Sequence, residues 1–158
     1  NQDEVLKFLI SQTYTIHELS RKARVLREEL LKKLYGKESL EVSEEDKKWI
    51  ESLGKPFLDG FDTEGFHKIF DSLTDRLQNI SPFIIYIPFD ISEDQIKELG
   101  QYVRGNFGDN ILIELRYDPT LIAGCALAWK GLFRDYSMKA RIAESHQNLL
   151  ATFKEYIK

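Results

Sequence analysis

The chain has 158 residues, enough for one domain or two small ones, and a core at this length hides about 70% of the surface that the unfolded chain exposes. Its 22 basic and 26 acidic residues make it mildly acidic. That argues against nucleic acid as the main partner, because phosphate binding rests on a clustered basic surface. No apolar run approaches the ~18 residues of a membrane span, and no stretch reads as a secretory h-region. The single cysteine, Cys125, lies in an apolar segment and fits a small core residue in a reducing compartment.

Helical patterns fill the first half. Val5, Leu6, Leu9 and Ile10 open it. Thr15-Ile-His-Glu18 reads as a capping box, and Ile16, Leu19, Ala23, Leu26, Leu30 and Leu34 then form one apolar stripe ended by Gly36. Arg21, Lys22, Arg24, Arg27, Glu28, Lys32 and Lys33 lie on the other face, read as solvated, with an acidic partner as the alternative. After a polar connector at 36–42, Ser43 starts a short helix that stops at Gly54-Lys-Pro56. Phe57, Gly60 and Phe61 are expected in a loop. A further helix starts near Asp62 with Phe66, Ile69, Phe70, Leu73, Leu77 and Ile80 on one face, and the phenylalanines from Phe57 to Phe83 are read as core.

From Pro82 the period changes. Phe83–Ile87 is a continuous apolar run, hence a buried strand limited by Pro88. Ser92-Glu-Asp-Gln95 is a second capping box, and Ile96, Leu99 and Val103 form the inner face of its helix. A strand at Asn110–Tyr117 puts Ile111, Ile113 and Leu115 on one side. Asp118-Pro119 is turn chemistry, since aspartate accepts backbone N–H groups and proline fixes the next φ. A strand near Gly124–Lys130 turns at Gly131 into Leu132–Asp135, with antiparallel hairpins expected throughout this region. Asp135 and Ser137 read as the N-terminal cap of a last helix to Tyr156, with Met138, Ile142, Leu149 and Phe153 inward. The expected fold is α+β: a helical domain over 1–81, then a β-α-β-β-β-α mixed-sheet domain over 82–158 covered by helices.

Catalytic patterns are scarce. His17, His67 and His146 lie on different helices without a second ligand at metal spacing, so no metal or cofactor is expected. Cys125 has no evident base. Asp118 and Asp135 form the one carboxylate pair worth weighing as acid and base. Phe83 and Tyr86 are the residues a base-stacking RNA platform would use.

The C-terminal pattern resembles the δ subunit of F-type ATP synthases, called OSCP in mitochondria. The resemblance runs over about residues 82–157, and Asp118-Pro119-Thr-Leu121-Ile122-Ala-Gly124 followed by Asp135-Tyr-Ser137-Met-Lys139-Ala-Arg141-Ile142 carries it. Ala123 and Tyr136 stand where that family usually has glycine, which fits if neither needs φ above zero. The resemblance implies a non-catalytic peripheral-stalk connector. It implies a helical domain that grips the amino ends of the α subunits and a C-terminal part that binds the end of the b helix. It also implies a place at the cytoplasmic face of a bacterial membrane within the complex. Lys139 and Arg141, with Arg24 and Arg27, are then candidate partner-binding cations. The stalk E subunit of V/A-type ATPases, and the stalk protein of flagellar and type III export ATPases, are the alternative placements.

Overall fold

The computed structural model describes residues 2–36 and 41–156. The chain divides into two compact units, Asn1–Ile80 and Ser81–Lys158. The first contains α1 (Gln2–Ser11), α2 (Ile16–Tyr35), α3 (Glu44–Leu53), α4 (Lys55–Asp59) and α5 (Thr63–Asn79). Residues 37–40 of the expected polar connector lie outside the described residues.

The apolar periodicities become the first unit's core. Val5, Leu6, Leu9 and Ile10 of α1, Leu19, Ala23, Leu26 and Leu30 of α2, and Phe66, Phe70 and Leu73 of α5 are all buried. Thr15 caps α2 by accepting the Glu18 N–H at 3.0 Å, but the Glu18 carboxylate reaches the Tyr14 N–H at 3.2 Å instead of that of Thr15. Gly36 ends α2 in the left-handed conformation at φ 64, which a residue without Cβ adopts at little cost. Part of the basic face of α2 is spent inside the unit. Arg21 pairs with the buried Asp46 at 3.6 Å, and Lys33 pairs with Asp59. Lys22 donates to the Gln12 carbonyl at 2.9 Å and sits over the Trp49 ring. Arg24 and Arg27 stay exposed.

The expected loop at Phe57 is instead α4, with Pro56 in its first turn, where a missing N–H costs nothing. Phe57 and Phe61 are half-buried rather than core, and their rings meet at 5.5 Å.

The second unit holds β1 (Phe83–Ile87), α6 (Glu93–Phe107), β2 (Ile113–Tyr117), a 3-10 turn (Pro119–Leu121), β3 (Ala126–Trp129), β4 (Leu132–Asp135) and α7 (Met138–Tyr156). The sheet order is β2-β1-β3-β4. β1 and β2 are parallel, with α6 as the crossover such a pair requires. Ser92 and Gln95 close the expected capping box on α6.

One expectation needs correcting. β2 and β3 do not form a hairpin; β3 pairs antiparallel with the far edge of β1, Ile84 opposite Ala128 and Tyr86 opposite Ala126. The corner between them therefore carries the chain past the end of β1, where the Asp118 N–H donates to the Ile87 carbonyl at 2.8 Å.

Alternation decides the faces of this sheet. Phe83, Ile85, Ile87 and Ile113 pack with Val103 of α6, joined by Ile96, Leu99, Leu115, Cys125, Leu127 and Trp129. The other face shows Ile84, Tyr86, Glu114, Arg116 and Phe133. Phe83 and Tyr86 thus point to opposite faces, and Phe83 is buried between Phe107 and Trp129. They cannot form a joint stacking platform.

A second correction concerns α7. Met138, Ile142, Leu149 and Leu150 are exposed, at 41%, 52%, 58% and 47%, not turned inward. The Phe153 side chain lies outside the described residues. α6 fills one face of the sheet, and the exposure of the α7 stripe shows that this helix does not cover the other.

Candidate functional site

The corner from Asp118 to Gly124 and the start of α7 form one hydrogen-bonded unit. Asp118 caps the 3-10 turn, its carboxylate accepting from the Thr120 N–H at 3.0 Å and from its hydroxyl at 2.5 Å. Pro119 occupies the first position of that turn and Leu121 is buried beneath it. Ile122 then adopts φ 69 and ψ −58, and the Ala123 N–H donates to the Leu121 carbonyl at 2.8 Å. This is the rare, strained form of γ-turn, and a β-branched residue at positive φ marks real backbone strain. Ala123 and Tyr136 have no positive φ, so neither position requires glycine for its backbone conformation.

The strands close the unit. Gly124 has φ 81, and a Cβ on it would stand 2.5 Å from the Tyr136 carbonyl oxygen. The Tyr136 N–H donates to the Cys125 carbonyl at 2.9 Å and the Met138 N–H to that of Ala123 at 2.8 Å. Ser137 is fully buried. Its N–H donates to Asp135 Oδ1 at 2.9 Å, and its Oγ accepts the Ala140 N–H at 3.2 Å, capping α7. Six signature positions, Asp118, Pro119, Leu121, Gly124, Asp135 and Ser137, thus have turn, cap or packing roles here. Ile122 is different: it is strained and 59% exposed.

The electrostatics oppose acid–base chemistry at this corner. Hydrogen bonds from the Thr120 side chain hold Asp118 below the ordinary aspartate value, and those from Ser137 do the same for Asp135. A general acid near neutral pH needs a raised pKa. Burial pushes the Cys125 thiol up, away from a reactive thiolate. Among the described residues no three His, Cys, Asp or Glu side chains lie together as metal ligands.

Because both aspartates are depressed in the fold, their contribution to stability is present above the ordinary value of 3.8 and lost as pH falls through their folded values. Melting temperature should therefore drop as the solution is acidified past that value. Asp135→Asn should flatten the slope. Calorimetry across a pH series reads this directly, and an unchanged slope would show that Asp135 does not contribute.

Two apolar surfaces remain. On α7, Met138, Ile142 and Leu149 form an exposed apolar strip with Arg141 and His146 at its sides. Lys139, on the same first turn, reaches the Thr120 hydroxyl at 3.5 Å, while Arg141 is exposed. In the helical unit, Val5 and Phe8 of α1, Phe57 of α4, Phe61 of the link that follows it and Ile69 of α5 line a groove of about 310 Å³. Arg24 and Arg27 lie on α2 of the first unit, while Lys139 and Arg141 lie on α7 of the second. His67 bonds the Tyr35 hydroxyl at 3.0 Å, and His17 and His146 are exposed.

A family model described as ATP synthase delta (OSCP) subunit matches residues 63–149, more than half of the chain. The chain belongs to the ATP synthase delta (OSCP) subunit family. ATP synthase subunit delta of Dichelobacter nodosus (strain VCS1703A) is 29% identical over 73 residues, which are 46% of this chain and 40% of that protein. The chain thus matches about two fifths of that relative's length.

The family match begins at the first residue of α5, further back than the strand at Phe83 where the sequence resemblance starts. It takes in the whole corner and most of α7. Sequence reasoning missed the groove between α1, α4 and α5. A signal existed: Phe57 and Phe61 sit i, i+4 without a longer periodic helix to bury them. That reasoning included Ile122 in the signature but not its positive φ, because nothing in a residue's identity announces that conformation when the residue is β-branched. No helix among the described residues is long and apolar enough to cross a membrane.

Proposed function

We propose that this chain is a peripheral-stalk connector of a rotary F-type ATP synthase. In this reading it joins the catalytic head to the b-subunit stalk without doing chemistry, at the cytoplasmic face of a bacterial membrane within the complex. The observation that carries the reading is that, in a member of this family, each unit leaves apolar side chains on its surface, Phe8, Phe57 and Phe61 in the first and Ile142 and Leu149 in the second. A connector needs two such surfaces and an enzyme needs one convergent polar site.

The α1/α5 side of the helical unit would take the amphipathic amino terminus of an α subunit, with Phe8, Phe57 and Phe61 receiving its apolar side chains. The strip on α7 would take the carboxy-terminal helix of b, with Lys139 and Arg141 at its margin. Arg24 and Arg27 remain available to acidic groups of either neighbour. The F-type family match favours this machine over the stalks of V/A-type or export ATPases.

Titration calorimetry with two synthetic peptides, the α amino terminus and the b carboxy terminus, tests the assignment. Phe8→Asp should weaken the first peptide by about 2 kcal/mol, roughly 30-fold, the loss expected for an aromatic anchor, and leave the second unchanged. Absence of binding by both peptides to the unaltered chain would overturn the reading.

A further inference from the structure

The attachment of α7 goes beyond what a helix cap needs. One N–H bond and one side-chain acceptor suffice to start a helix. Here the Met138 and Tyr136 N–H groups are both tied to the 123–125 segment, at 2.8 and 2.9 Å. Ser137 is buried to 0% exposure and held by Asp135 at 2.9 Å, while the Tyr136 carbonyl lies so close over Gly124 that a Cβ there would meet it at 2.5 Å. The segment on which this rests contains the strained γ-turn at Ile122. Such strain persists only where the surroundings over-determine the backbone.

We infer that Gly124 and Ser137 are positioning residues that fix the direction in which α7 leaves the sheet. The apolar side chains of Met138, Ile142 and Leu149 stay exposed at 41%, 52% and 58%, so packing beyond the first turn does little to hold the helix's direction. Without the clasp a helix joined to β4 through Tyr136 would sweep a cone, and ordering it on binding would cost affinity. With the clasp, the strip is presented at one angle. The inference rests on the α7 half of the reading above for its purpose, but its geometry stands without any partner.

Double electron–electron resonance on the full chain tests it. Spin labels at Lys97→Cys on α6 and Glu144→Cys on α7, both exposed positions, are placed in a Cys125→Ala background. The clasp predicts one narrow distance distribution. Gly124→Ala should broaden it about twofold by freeing the helix from its seat. Gly131→Ala is the control. It also forces a side chain onto a positive φ, 77, but meets nothing within 4 Å, so it should lower stability and leave the distribution narrow. Ser137→Ala removes only the hydroxyl and gives the same reading if Gly124→Ala fails to fold.

A distribution already broad in the parent chain, or one unmoved by Gly124→Ala and Ser137→Ala in folded protein, overturns the inference. The peptide titrations are a separate matter. Rigid attachment with no b-peptide binding would sink the connector reading and keep the clasp.

Discussion

Ile142→Glu combined with Leu149→Glu is expected to abolish binding of the b carboxy-terminal peptide while leaving the melting temperature almost unchanged. Both side chains are more than half exposed, so neither supports the core, and surface changes of this kind stay within about 0.5 kcal/mol of neutral. Glutamate also keeps helix propensity close to that of leucine, so α7 should not fray. Binding is another matter. Each substitution would place a carboxylate where an apolar side chain is to be received, costing about 2 kcal/mol or more at a central contact. Two together amount to roughly a thousandfold loss. Retained binding would show that α7 is not the docking surface. A melting temperature lower by many degrees would show that these residues are packed in solution.

The sequence carries the elements of this fold better than their arrangement. Helix and strand identities are legible, because Leu19, Ala23, Leu26 and Leu30 recur at helical spacing, whereas Phe83–Ile87 is a short, unbroken apolar run rich in β-branched residues; which of its side chains are buried, Phe83, Ile85 and Ile87, only the fold shows. The caps at Ser92 and Ser137 are equally legible, since a hydroxyl three residues before an unpaired N–H is a local relation. Strand order is not local. Both a hairpin and a crossing past β1 satisfy the apolar pattern of residues 111–129, and only the pairing of β1 with β3 decides between them.

The same limit explains α7. Its stripe at Met138, Ile142 and Leu149 looks identical whether the helix covers its own sheet or waits for another chain. Periodicity says which side is apolar and nothing about what meets it. The corner lies between these cases. Its turn residues could be read one by one, but the contact of Gly124 with the Tyr136 carbonyl joins residues twelve positions apart and needs the fold.

Ile113→Ala should produce the largest loss of stability, and it should be confined to one unit. Ile113 has no exposed surface, stands opposite Phe83 in the β1–β2 ladder, and packs in the cluster with Ile85 and Val103. Removing three carbons from such a site costs about 2–5 kcal/mol, because neighbours held by a sheet close the cavity only in part. A unit of under about 80 residues has roughly 3–5 kcal/mol to lose, so Ile113→Ala should bring Ser81–Lys158 close to unfolding while Ile113→Val costs about 1 kcal/mol. The two tryptophans allow the halves to be watched separately, since Trp49 lies in α3 of the first unit and Trp129 in β3 of the second. In a Trp49→Phe background, urea unfolding followed by Trp129 should shift to lower denaturant. With Trp129→Phe, the Trp49 transition should not move. Coincident shifts of both would mean that the two halves unfold as one cooperative body, and that residues 1–81 and 82–158 are not separate domains.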